Sequence, residues 1–165
     1  VRRLMDLPQP LVLDADGINA LAGHMDEWER RRGRVTVLTP HEGEFLRVGG
    51  NLSQGRTAAA TEFAHRSGAV VVLKGPGTVV AGPDGRCRVN TTGNCGMAKG
   101  GSGDVLSGVV LALLGLGMDA FDACCCAVWL HGRAGDLAAQ EKGQWGMTPT
   151  DLLERLPQAL REVTE

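Results

Sequence analysis

Apolar residues come in three short runs, each halted by polar or turn-forming residues. Leu11-Val12-Leu13 stops at Asp14 and Asp16, Val35 to Leu38 stops at Pro40, and Ala69 to Leu73 runs into Lys74-Gly75-Pro76-Gly77-Thr78. Short apolar runs bounded in this way predict buried parallel strands. Between them the pattern predicts helices over Ile18 to Met25, Glu42 to Val48 and Thr57 to Arg66, the last closed by Ser67-Gly68. Thr78 to Ala81 and Cys87 to Asn90 flank Gly82-Pro83-Asp84-Gly85, a turn sequence that predicts a β-hairpin. Asn90 to Gly103 is polar, rich in glycine and without periodicity. Three helical stretches follow, Asp104 to Leu116, Ala120 to Gln140 and Pro149 to about Glu162. Strands alternating with helices predict an α/β fold: a mostly parallel sheet with helices on both faces.

At 165 residues, 43% hydrophobic and 22% charged, the chain can bury a sizeable core and reads as one domain over residues 1–165. A net charge of −2 argues against a nucleic-acid partner. The run Arg30 to Arg32, with Arg34, is offset by Asp26, Glu27 and Glu29 and reads as a solvated connection. The apolar stretch Val105 to Met118 is too short and too broken to span a bilayer, so no membrane association is expected. Asp6 and Pro8 interrupt any signal-peptide pattern at the start.

The cysteines Cys124, Cys125 and Cys126 are consecutive on a predicted helix, so they cannot together chelate one ion, and Cys87 and Cys95 lack paired spacing. Small buried thiols in a reducing compartment, the cytoplasm, are the expectation. His24, His65 and His131 have no partners at metal-ligand spacing and read as surface or internally satisfied residues.

Three segments carry candidate chemistry. Asn94 to Asp104 places glycines directly before an apolar helix. A helix start leaves backbone N–H groups unpaired and carries partial positive charge, and glycines let a phosphate approach. The amides of Gly101, Ser102 and Gly103 would cradle a phosphoryl group, with Asp104 as general base toward an acceptor hydroxyl. The competing reading makes Asp104 an N-cap and the glycines a tight turn. The segment matches neither a Walker A loop nor a dinucleotide fingerprint.

Thr39-Pro40-His41-Glu42-Gly43-Glu44 follows a strand, at the edge where ligands of open α/β sheets sit. There His41 would hydrogen-bond a substrate, and Glu44 would orient a magnesium-bound water. Alternatively, His41 is a loop residue and Glu44 a partner of the helix dipole. Lys74, Gly75, Pro76, Gly77 and Thr78 would line a nucleotide pocket, or form a plain turn. Asp14 and Asp16 alternate, so one would face a site and the other would cap the next helix.

Taken together, these segments resemble the ADP/ATP-dependent NAD(P)H-hydrate dehydratases of the ribokinase-like superfamily. The resemblance rests on Leu13 to Leu21, Leu38 to Phe45, Leu73 to Thr78, Gly93 to Ala98, Gly100 to Leu106 and Leu130 to Asp136. It implies that hydrated NADH or NADPH is phosphorylated on its ring hydroxyl by ADP or ATP with magnesium, and that loss of phosphate restores the ring. His41 and Asp104 would then contact the hydrated nucleotide, and Lys74 to Thr78 with Gly103 the adenosine nucleotide. Apart from the resemblance, an incomplete or exposed sheet edge favours pairing, so a homo-oligomer, as large as a tetramer, is expected. Family members carry early strands and a further glycine loop that nothing in this chain matches, so the N-terminal part of the family domain is expected to be absent. Asp26 to Gly33 and Pro76 also depart from the pattern. A ribokinase-like kinase of a small alcohol or vitamin precursor is the rival enzyme, although such kinases place Asn where His41 stands. An inactive nucleotide-binding fragment is the rival outside catalysis.

Overall fold

The computed structural model describes residues 1–164. Five strands form one sheet in the order of the chain: β1 (Leu11–Leu13), β2 (Thr36–Leu38), β3 (Val70–Leu73), β4 (Val79–Ala81) and β5 (Cys87–Val89). β1, β2 and β3 are parallel, with Val12 opposite Val37 and Leu38 opposite Val71. β4 and β5 add the antiparallel hairpin that the Gly82–Gly85 turn predicts.

Strand alternation sorts the core into two layers. Leu13, Leu38, Val71, Leu73, Val79 and Ala81 face one side. There they meet α1 (Asp16–Asn19), α2 (Met25–Glu29), α3 (Glu42–Arg47) and α4 (Arg56–Ser67). Phe45 and Phe63 pack in this layer at 5.2 Å between ring centroids. Val37, Val70, Val72 and Val80 face the other side, under α5 (Ser102–Gly115) and the first half of α6 (Ala120–Gly146). The second half of α6 packs on α7 (Pro149–Thr164) through Leu130, Ala134, Leu137, Leu152 and Ala159. This is the two-faced α/β architecture that the alternation predicts.

Four expectations change. The helix expected over Ile18 to Met25 is two helices, because Gly23 turns left-handed at φ 76° and His24 is non-helical before α2 restarts. α6 runs past Gln140 because no residue breaks it before Gly143, whose φ of 71° kinks it. The arginine run is not simply solvated. Arg31 is 2% exposed, and its guanidinium donates to Thr36 Oγ1 (2.9 Å) and to the carbonyls of Leu7 (2.6 Å), Gln9 (2.9 Å) and Val35 (2.8 Å). It thereby clamps the N-terminal segment onto the start of β2. The thiols divide: Cys124 is buried and Cys125 and Cys126 half-buried, but Cys87 and Cys95 are exposed, and all five are free. No helix of the described residues is long and apolar enough to cross a membrane.

Candidate active site

Two of the candidate segments leave the carboxyl ends of β2 and β3, and the third, Asn94 to Asp104, comes from β5 and meets them there. The Lys74 N–H donates to the Pro40 carbonyl at 2.8 Å, and His41 and Lys74 form a parallel bridge that extends the β2–β3 pairing by one step. Thr39, fully buried, ties β2 to the end of β1 through its N–H and hydroxyl, both on the Leu13 carbonyl at 3.1 and 3.3 Å. Asp14, His41 and Lys74 are thus set side by side by sheet register.

Lys74 Nζ lies 2.6 Å from Asp14 Oδ1 and 3.9 Å from Glu44 Oε2. Ser107 Oγ, from the second turn of α5, lies 3.3 Å from Asp14 Oδ2. A Cβ on Gly103 would come within 3.1 Å of Asp14 Oδ2 and 3.4 Å of Lys74 Nζ. The start of α5 therefore rests directly on the Asp14–Lys74 pair. Of the two alternating aspartates, Asp14 faces this cluster, while Asp16 sits in the first turn of α1. Between them Ala15 has φ 47° and ψ −119°, and Gly17 N–H donates to the Asp14 carbonyl at 2.9 Å. That is the first central position of a type II′ turn, where glycine is favoured, so Ala15 stores strain beside the cluster.

α5 begins without a side-chain cap; Gly101, at φ 96°, opens it, and Asp104 lies exposed in its first turn rather than capping it. The Ser102 N–H donates to the Lys99 carbonyl at 3.3 Å. Among the described residues no acceptor meets the N–H groups of Gly103 and Asp104. Two donors with positive helix-end potential thus stand free beside an exposed carboxylate.

His41 acts on its own helix. Its Nδ1 accepts from the N–H groups of Gly43 (3.0 Å) and Glu44 (3.3 Å), and Glu44 Oε2 accepts from the His41 N–H (2.8 Å), closing a capping box. The ring's Nε2 faces Glu44 Oε1 at 3.3 Å, which orients the buried carboxylate. No cluster of three or more His, Cys, Asp or Glu side chains among the described residues could cage a metal. Glu44, with one oxygen held by the His41 N–H, suits a single water-mediated contact to a cation carried on a nucleotide and does not suit a resident metal.

Arg56 has no mark in the sequence that distinguishes it, yet it shapes the Lys74–Thr78 loop. Its guanidinium donates to the carbonyls of Leu73 (2.9 Å), Pro76 (2.5 Å) and Gly77 (3.1 Å), and its Nε lies 3.1 Å from Glu42 Oε1. Thr78 Oγ1 donates to the Gly75 carbonyl at 3.1 Å, closing the loop from within.

The polar segment before α5 is laced to α6. Asn90 Nδ2 and Thr92 Oγ1 donate to the carbonyls of Val128 and Trp129 at 3.2 and 2.9 Å, and Asp136 accepts from Gly93 N–H and Asn94 Nδ2 at 2.9 and 3.0 Å. Lys99 Nζ reaches the carbonyls of Trp145 (3.0 Å) and Met147 (2.5 Å). Close approach requires small residues on the helix, since a Cβ on Gly132 would come within 2.2 Å of Thr92 Oγ1. A cavity of about 430 Å³, with Arg32, Thr36, His65 and Phe121 in its lining, opens elsewhere and includes none of the cluster.

Residues 1–158 match the family model of the NAD(P)H-hydrate dehydratases. The chain belongs to that family. A bifunctional NAD(P)H-hydrate repair enzyme of Thermofilum pendens is 47% identical over 161 residues, 95% of this chain but 30% of its own length. An ADP-dependent (S)-NAD(P)H-hydrate dehydratase of Neisseria meningitidis is 42% identical over 140 residues, covering 82% of this chain and 47% of its own. Among solved structures, the ADP/ATP-dependent NAD(P)H-hydrate dehydratase of Bacillus subtilis co-crystallized with ATP/Mg2+ superposes with a TM-score of 0.81 at 34% identity, over 96% of this chain and 57% of that one. A ribokinase-like protein of Enterococcus faecalis, 24% identical with a TM-score of 0.79, shares the fold. This dehydratase-family chain spans about a third of the bifunctional relatives it matches.

Proposed function

We propose that this chain forms part of an ADP- or ATP-dependent dehydratase that returns hydrated NADH and NADPH to their intact forms. The ring hydroxyl oxygen attacks the terminal phosphorus of the nucleotide, the bond from phosphorus to the bridging oxygen breaks, and Asp104 accepts the hydroxyl proton. The ring C–O bond then breaks, phosphate departs, and loss of a ring proton leaves the double bond. The observation that carries this reading is the pair of unpartnered amides at Gly103 and Asp104, set beside an exposed Asp104 carboxylate and the Asp14–Lys74 pair. Gly101 and Gly103 line the anion hole with the Gly103 amide foremost, while the Ser102 N–H at its wall is held by the Lys99 carbonyl. Lys74, Gly75, Pro76, Gly77 and Thr78 hold the adenosine nucleotide, and His41 faces the hydrated ring. Magnesium neutralises the nucleotide phosphates when bound, and Glu44 holds one of its waters.

Residues 1–165 fold as a single ribokinase-like unit, a portion of the family domain, working in the cytoplasm with neither a membrane nor a nucleic acid as partner. β1 stands at the edge of the sheet, which supports self-association into a homo-oligomer such as a tetramer. Light scattering of the chain checks this, and a clean monomer counts against it.

The test mixes hydrated NADH with ADP or ATP and follows the near-ultraviolet absorbance of NADH together with phosphate release. Regained NADH with stoichiometric phosphate is expected. A stable phosphate ester of a hydroxymethyl substrate would instead mark a kinase, and nucleotide binding without turnover a fragment.

A further inference from the structure

The segment Leu130 to Asp136 matches the family yet carries no role in the chemistry above. His131, in the middle of α6, is 9% exposed, and its Nε2 lies 2.9 Å from the carbonyl oxygen of Ser102. A carbonyl only accepts, so Nε2 carries the proton and donates it. Burial, countered by that hydrogen bond and reinforced by the Lys74 charge, holds the ring's pKa down to about 4, so it stands neutral near pH 7.

The bond falls on a particular peptide. The Ser102 carbonyl and the Gly103 N–H belong to one planar unit and point in opposite directions. Whatever grips the oxygen therefore aims the hydrogen. The helix ladder of α5 already aligns this unit, since Ser102 lies within the helix, but Gly101 and Gly103 flank Ser102 and glycine leaves the first turn free to fray. No side-chain cap reinforces that first turn. We propose that His131 is a positioning residue: by holding the Ser102 carbonyl it keeps the Gly103 N–H aimed out of the helix start, where a transferring phosphoryl group would meet it. The phosphoryl step in this statement rests on the function proposed above; the restraint on the peptide does not.

Two variants separate the role from mere filling of space. His131→Leu keeps the bulk and loses the donor, whereas His131→Gln keeps a donor of similar reach. In the ligand-free protein, the amide resonances of Ser102, Gly103 and Asp104 should broaden or double in His131→Leu and return to single sharp signals in His131→Gln, with the α6 amides little changed. Turnover should fall roughly tenfold or more in the leucine variant with KM for the hydrated nucleotide nearly constant, and recover in the glutamine variant. If the unsubstituted chain shows no turnover, the functional reading fails while the amide signals still decide this inference. Unchanged amide signals in a folded His131→Leu overturn it. Should neither variant fold, nitrogen shifts of the His131 ring in the unsubstituted protein decide. Protonation at Nε2 supports the inference, and protonation at Nδ1 overturns it.

Discussion

The two ends of the parallel strands are built on opposite principles. Where β2 begins, Arg31 is enclosed, every acceptor around it takes a hydrogen bond, and no carboxylate is among its hydrogen-bond partners. Where β1, β2 and β3 finish, Ala15 is strained, Lys74 is shared between Asp14 and Glu44, and the amides of Gly103 and Asp104 stand without acceptors. One end is satisfied and the other is left wanting a ligand. A satisfied polar network stabilises, whereas open donors at a helix start and a strained turn beside them leave groups available to a ligand.

The sharpest way to break the contrast is at the unsatisfied end. Asp104→Asn should lower turnover roughly 10²- to 10⁴-fold while leaving nucleotide affinity and thermal stability near their starting values, because only the proton acceptor is lost. Steady-state kinetics with calorimetry checks it, and near-normal turnover removes Asp104 from the chemistry. At the satisfied end, Arg31→Ala should cost about 3 kcal/mol in denaturant unfolding, since the Leu7 and Gln9 carbonyls and the Thr36 hydroxyl lose their donor. A loss below about 1 kcal/mol would show that water replaces the guanidinium without difficulty.

Acid also probes the unsatisfied end, through the residue that holds the Ser102 carbonyl. His131 has a folded pKa of about 4 against an ordinary 6.5, so folding favours its neutral form. Its contribution is complete above pH 6.5 and is lost as pH falls from 6.5 to 4, by about 3 kcal/mol at most. His131→Gln should flatten that part of the stability profile, and an unchanged slope would assign the loss to other groups. The smallest effect belongs to Ala15→Gly. Relief at φ 47° should outweigh the chain entropy of glycine and raise stability by about 1 kcal/mol, a gain readable as a higher Tm.

Much of this is legible in the sequence. Strands whose side chains face helices on both sides read as uninterrupted apolar runs, so β1, β2 and β3 stand out, and Gly82–Gly85 announces the hairpin. The convergence of Asp14, His41 and Lys74 follows from strand ends alone. What could not be read was the work done by long side chains on distant carbonyls. Arg31 and Arg56 look alike in sequence to their solvated neighbours, since most of each guanidinium's partners are main-chain atoms whose positions only the fold decides. His131 likewise lacks a ligand-spaced companion because its partner is a carbonyl oxygen on another helix. The strain at Ala15 also leaves no trace, as alanine is an ordinary residue everywhere except at that turn.

Lys99 sits in a stretch that by composition should be the softest target on the molecule for a trypsin-like protease. Its ammonium is instead tucked against the final carbonyls of α6, and the chain around it is fastened along that helix from Val128 to Met147. Digestion should therefore open the molecule first at exposed Arg32 and leave the glycine stretch whole. What resembles slack rope is a splint, and any tilt of α6 would be felt at once by the atoms waiting for phosphate.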